Sequence, residues 1–173
     1  MIIFTSDHGE MHGHHGFWGK GLTAYEDCQK VPLLIWGPQY FSQTGTTSAI
    51  VNLVDIPTTI LALAGIEPSP GMQGADLTPI LLGHAESVQE ATLVECRATA
   101  HIYQQTFVTE RYKLVLYEQL NDGELYDLES DPDQYENLWA TKEFAALKAE
   151  LLEQWVRFQM KREGELHTRK SFA

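Results

Sequence analysis

Met1-Ile2-Ile3-Phe4-Thr5-Ser6-Asp7-His8-Gly9-Glu10-Met11-His12-Gly13-His14-His15-Gly16-Phe17-Trp18-Gly19-Lys20-Gly21 opens the chain with a short apolar run that stops abruptly at a polar, glycine-rich segment. A four-residue apolar run feeding such a loop is the pattern of a buried parallel strand in an α/β sheet. In an open sheet of that kind, ligands sit at the edge where strands end and loops begin. Asp7 and His8 are adjacent at that edge, so both can reach one metal ion. The glycines let the backbone turn closely around an ion, and Lys20 can return to the same place as a point cation for an anionic group. Four histidines fall within eight residues, His8, His12, His14 and His15, which favours a transition metal. The zincin pattern H-E-x-x-H is absent, and the glycines argue against a helix here. On residues alone this is a metal or anion loop.

Outward from the loop, Val31-Pro32-Leu33-Leu34-Ile35-Trp36 closed by Gly37-Pro38 reads as a second buried strand. Asp55-Ile56-Pro57 reads as an N-cap with proline in the first turn, opening a helix that stops at Gly65. A short helix follows from Asp76 to Leu82, ended by Gly83. After about residue 90 the character changes. Thr92–Glu95, His101–Thr109, Tyr112–Tyr117 and Leu125–Leu128 are β-branched and aromatic runs at close spacing. Glu110-Arg111 and Asn121-Asp122-Gly123 supply turns, so an antiparallel meander is expected. The last element is a helix over about 141–163, where Phe144, Leu147, Leu151, Trp155 and Phe158 fall at steps of 3, 4, 4 and 3 on one face as core, with Gly164 as its stop. The fold class is α/β: the tail of a mixed or parallel α/β sheet domain, followed by a small antiparallel sheet packed on a long C-terminal helix. The division falls into residues 1–88 and 89–173.

Composition narrows the function classes. The 173 residues are 43% hydrophobic with 24 acids against 12 bases, a formal net charge of −12, which excludes a general nucleic-acid binder because phosphate neutralisation needs clustered Lys and Arg. No apolar run approaches the roughly 18 residues that a membrane span requires, so no membrane partner is expected. No signal-peptide pattern opens the segment, and localisation stays unassigned. Cys28 and Cys96 could make at most one disulfide. Eight acids from Glu118 to Glu136 occur without a base. The EF-hand pattern fails there for want of its glycine, and a solvent-facing acidic turn is expected.

Ser6-Asp7-His8-Gly9, Gly13-x-His15-Gly16, Trp18 and Lys20 together resemble the second metal motif of the sulfatase family, in the alkaline phosphatase superfamily, and most closely its iduronate-sulfatase-like and choline-sulfatase-like branch. The resemblance continues in register through Tyr25-Glu26, Val31–Ile35, Gly37-Pro38, Val54–Thr58 with Ala64-Gly65-Ile66, Arg111–Leu114, Glu124–Leu128, Asp131-Pro132 and Glu136-Asn137-Leu138. It implies a sulfuric ester hydrolase whose site is assembled from both halves of a considerably longer chain. By that resemblance Asp7 and His8 are metal ligands, and Lys20 is a catalytic residue that contacts the sulfate group. His15 is a substrate-binding candidate, more readily read as ordering the loop, and His12 and His14 are surface residues. The implied cofactor is a divalent metal, calcium by the family's habit or Mn or Zn given the imidazole. The implied substrate is a sulfate ester.

The sequence departs from the family at one decisive point. Neither Cys28 nor Cys96 lies in C-x-P-x-R, the motif whose Cys or Ser becomes the formylglycine nucleophile, and no serine replaces them. The family's adjacent Asp-Asp pair is missing as well. The chain therefore reads as a C-terminal sulfatase fragment with no nucleophile of its own, inactive in isolation, with its metal weakly bound or absent. The missing half would leave the strand faces near the N-terminus uncovered, so a homodimer or higher oligomer through the first 40 or so residues is expected. Two alternatives stay open: a phosphonate or phosphate ester hydrolase of the same superfamily, and a non-enzymatic metal-binding or interaction module left by truncation.

Overall fold

The computed structural model describes residues 1–42, 44–99 and 102–163; the expected strand start at His101 and helix stop at Gly164 lie outside them. Two sheets organise the chain. The larger is a four-stranded antiparallel meander in sequence order: β3 (Ala91–Thr99), β4 (Ile102–Thr109), β5 (Tyr112–Tyr117) and β6 (Gly123–Asp127). Its register aligns Leu93 with Phe107, Phe107 with Leu114 and Leu114 with Leu125, one apolar row across all four strands. Onto that row packs the long helix, named α4 (Ala145–Glu163) after the three shorter helices introduced below, preceded by a 3-10 turn over Lys142–Phe144. Leu151 and Trp155 of α4 are buried in the same cluster as Phe107, Leu114 and Leu125, with Phe144, Leu147 and Phe158 around them. The stripe read from the sequence is thus the core stripe. The Phe107 ring stacks on Trp155 at 5.8 Å between centroids.

The opposite face of the meander is also covered. Strand alternation places Thr106, Lys113 and Val115 there, each fully buried at 0% exposure. What covers them comes from the N-terminal part, around α1 (Glu26–Gln29): Gln29 Nε2 donates to Thr106 Oγ1 at 3.1 Å and Lys113 Nζ donates to the Ala24 carbonyl at 2.8 Å.

The smaller sheet differs from expectation. β1 (Ile2–Thr5) and β2 (Leu33–Trp36) lie where the apolar runs placed them, but pair antiparallel with each other. They are not buried among the described residues: the cross-strand pairs Ile2–Trp36 and Phe4–Leu34 are 61%, 60%, 61% and 58% exposed. Ile3, Thr5, Leu33 and Ile35, on the other face, are half-buried. An apolar run reports what a strand needs covered, not whether the described chain covers it.

Of the remaining helices, α2 (Asp55–Leu63) ends before Gly65, whose φ of 69° is the left-handed stop, and α3 (Thr78–Leu81) ends before Gly83. Asp55 is the first helical residue and not the N-cap. Its buried carboxylate accepts from the backbone N–H groups of Asn52 at 2.7 Å and Ala75 at 2.8 Å, and from Gln89 Nε2 at 2.9 Å, so it ties three segments together.

The acidic stretch is only partly a solvated turn. Glu118, Asp122, Glu129, Asp133 and Glu136 are exposed, but Asp127 is 5% exposed and takes a two-pronged pair from Arg111, at 3.0 Å from Nε and 2.7 Å from Nη2. That pair holds the Asp127 carboxyl down to about 2. Glu124 accepts from the hydroxyls of Tyr117 at 2.5 Å and Tyr126 at 3.0 Å. Asp131 caps the N–H groups of Tyr135 and Glu136. Composition could not separate these three from their exposed neighbours.

Candidate metal and anion site

The end of β1 delivers Asp7 and His8 into the loop, and the loop returns Lys20 to them. Asp7 Oδ2 lies 3.6 Å from His8 Nε2, and Lys20 Nζ lies 3.0 Å from the same nitrogen. His8 Nδ1 is 2.8 Å from the Gly9 carbonyl oxygen. A carbonyl oxygen and an ammonium leave one consistent tautomer: the proton sits on Nδ1, donated to Gly9, and Nε2 carries the lone pair. That is the state a metal-binding imidazole needs, oriented by a backbone carbonyl as metal ligands commonly are. The Asp7 carboxyl is held below its ordinary range, first by its own backbone N–H. With its side chain 86% exposed, it is an ionised oxygen open to an incoming ion. An oxygen and an imidazole nitrogen 3.6 Å apart suit adjacent positions on one divalent cation, so the residues fit the implied metal. They supply two ligands, and a closed shell needs more.

The loop is seated rather than loose. Gly9 lies against α1: a Cβ there would meet the Asp27 carbonyl oxygen at 1.8 Å, and the Gly9 N–H donates to the Cys28 carbonyl at 2.9 Å. Only glycine permits that approach. Met11, 1% exposed, plugs the loop interior, and the Cys28 thiol faces the Lys20 carbonyl at 2.9 Å. Both cysteines are free.

The structure brings Asp7, His8 and Lys20 together, while the partners of His14 and His15 lie elsewhere. His15 stacks on Tyr25 at 3.9 Å and sets Nε2 2.8 Å from the Asp133 carbonyl oxygen, which ties the loop to the C-terminal part. His14 is not the surface residue expected: it is half-buried, with Nδ1 2.8 Å from Asp27 Oδ2. His12 is exposed. Sequence reasoning missed the residues that hold the loop's exit in place. Lys113, fully buried in β5, pairs with Glu26 Oε1 at 2.5 Å, and the Glu26 N–H donates to Gln134 Oε1 at 2.7 Å. Burial pushes the Lys113 ammonium down, and Glu26 works against that shift. The signal was present as a lysine in the middle of the otherwise apolar strand Tyr112–Tyr117, a position alternation assigns to the covered face.

Asp7, His8 and Lys20 thus converge at the end of a strand on an α/β scaffold, beside an antiparallel meander and its helix. The model of the family described as N-sulphoglucosamine sulphohydrolase, C-terminal, matches residues 13–161, and the chain belongs to that sulfatase family. It is 31% identical over 166 residues to an N-acetylglucosamine-6-O-sulfatase of Bacteroides thetaiotaomicron, covering 88% of this chain and 29% of that one. It is 33% identical over 141 residues to a choline-sulfatase of Rhizobium meliloti, covering 80% of this chain and 27% of the relative. Among solved structures it superposes with a TM-score of 0.85 at 29% identity on a protein in complex with its substrate D-glucosamine-2-N,6-O-disulfate, over 94% of this chain and 34% of that one. A phosphonate monoester hydrolase of Agrobacterium radiobacter gives 0.79 at 27% identity, over 93% and 35%. The chain thus spans less than a third of the length of these curated relatives. Among the described residues, no helix is long and apolar enough to cross a membrane.

Proposed function

We propose that this chain contributes one half of a sulfate ester hydrolysis site, with Asp7 and His8 holding one divalent ion and Lys20 facing the sulfate group. The observation that carries the reading is the convergence of Asp7 Oδ2, His8 Nε2 and Lys20 Nζ, with the imidazole proton fixed on Nδ1 by Gly9. The bound ion supplies positive charge next to the sulfate oxygens. Lys20 adds a second cation at the position where negative charge grows as the ester bond breaks, and a preorganised donor of this kind is worth about a hundredfold or more in rate. Gly9, Met11 and the Lys113–Glu26 pair hold these groups in place before substrate arrives. Manganese and zinc suit the mixed oxygen and imidazole set; calcium takes oxygen ligands by preference. The nucleophile comes from outside these residues. The open face of Ile2, Phe4, Leu34 and Trp36 further supports association: in the isolated chain we assign that face to a second copy, giving a homodimer or higher oligomer. Residues 1–88 and 89–173 form the two parts proposed from the sequence, the first carrying the site and the second bracing it.

The test is a chimera in which this chain replaces the corresponding third of the Bacteroides N-acetylglucosamine-6-O-sulfatase, assayed in parallel on sulfate and phosphonate esters. Sulfate ester turnover that falls about a hundredfold with Lys20→Ala, and is lost with Asp7→Ala, supports the reading. A preference for the phosphonate ester would favour the second reading, which the superposition on the Agrobacterium enzyme motivates.

A further inference from the structure

The family resemblance leaves position 14 free, and the proposed reaction uses neither His14 nor Asp27. Yet, among the described residues, the one place where three potential metal-ligand side chains converge is His14, His15 and Asp27, with one ligand atom from each within 4.8 Å of the others. Two backbone features create the convergence. Consecutive side chains ordinarily diverge, but His15 holds a φ of 51° between Gly13 at 93° and Gly16 at 76°. The left-handed turn brings the two imidazoles side by side, 4.4 Å between centroids, in a conformation that costs a non-glycine residue energy. Asp27 then arrives from α1, placed by the close contact of Gly9 with its carbonyl.

The geometry points to a second metal site here, a zinc clip of His14, His15 and Asp27 that is separate from Asp7 and His8. Ligands on a tetrahedral zinc with bonds near 2.0–2.1 Å lie roughly 3.4 Å apart, which falls between the 2.8 Å of the His14–Asp27 contact and the 4.8 Å limit of the group. Two imidazoles and a carboxylate are a zinc-type donor set, with water completing the shell. The tautomers agree with it. His15 donates from Nε2 to the Asp133 carbonyl, so its Nδ1 keeps a lone pair, the arrangement that outer partners impose on metal-binding histidines. His14 at present gives its Nδ1 proton to Asp27; moving that proton to Nε2 frees Nδ1 for the ion with no net change of charge on the ring. Tyr25 stacks on the His15 ring, and Tyr135 packs against both imidazoles. The clip would fasten the glycine loop to α1 next to the turn at Asp133, bracing the chemistry-bearing loop from its outer side.

The experiment titrates zinc ion alone against the purified chain, in competition with a chelating indicator, on an Asp7→Ala/His8→Ala background that removes the other site. One equivalent bound by that background, weakened at least tenfold by adding His14→Gln, supports the clip; glutamine keeps a donor for Asp27 and loses the ligand. X-ray absorption of the background variant should then show two imidazoles among nitrogen and oxygen neighbours near 2.0–2.1 Å. Loss of zinc binding in the background, or unchanged affinity with His14→Gln, overturns the proposal. If circular dichroism shows that His14→Gln disturbs the fold, Asp27→Asn decides by the same criterion.

Discussion

The two sheets of this chain solve opposite problems. The meander is covered on both faces, by α4 on one side and by the segment around α1 on the other, so that Thr106, Lys113, Leu114, Val115 and Leu125 are all at 0% exposure. The β1–β2 pair presents four large apolar side chains at 58–61% exposure on strands of only four residues each. An isolated two-stranded sheet is marginal in water. The loop of Asp7, His8 and Lys20 springs from the poorly covered sheet, yet its exit is anchored to the well-covered one. The well-packed core and the loop of Asp7, His8 and Lys20 thus lie on different sheets, with Lys113, Gln134 and Asp133 as the couplings.

The largest break in that contrast is expected from Trp155→Ala, which removes the ring that stacks on Phe107. It should cost about 3–5 kcal/mol, as buried aromatic truncations do, and denaturant unfolding would register it. Lys113→Ala comes next. It strips the buried partner from Glu26 and empties a covered strand position, for about 3 kcal/mol. Lys113→Met should recover much of that loss, because an apolar side chain of similar length avoids the cost of burying the ammonium. Equal destabilisation by both variants would mean that the ion pair itself, and not the filled space, holds α1.

Acid sharpens the comparison further. The Asp127 carboxyl is depressed to about 2 from an ordinary 3.8 by its Arg111 pair, so the unfolded chain binds its proton first. The contribution is complete above about pH 4 and disappears as pH falls through about 2. Discounted for the half-exposed guanidinium, it amounts to about 1–2 kcal/mol, to be read by comparing the urea midpoint of wild type with that of Asp127→Asn between pH 5 and pH 2.5. The smallest effect on folding belongs to the open face. Leu34→Glu should shift unfolding by no more than about 0.5 kcal/mol, yet convert the associated species to monomer in sedimentation, since burial of that face drives association at roughly 25 cal/mol per Å2. Wild-type sedimentation as a monomer would remove the second copy from the account.

Periodicity and motif spacing made most of this legible. The meander, its order, the α4 stripe and the loop joining Asp7, His8 and Lys20 all follow from local pattern. Coverage was not legible. Ile2 and Leu114 are both apolar residues in apolar runs, but one is 61% exposed and the other fully buried, because the difference lies in distant segments. The same limit hid Asp127 within a run of acids and His14 within a run of histidines: a partner far along the chain, Arg111 or Asp27, decides each case.

The central claim is that Asp7, His8 and Lys20 are half of a site whose nucleophile lies outside these residues. Aryl sulfate hydrolysis by the purified chain, with divalent metal supplied, tests it most directly. The account predicts no turnover above background. Turnover that disappears with Asp7→Ala would contradict it, because a complete site would then lie within these residues.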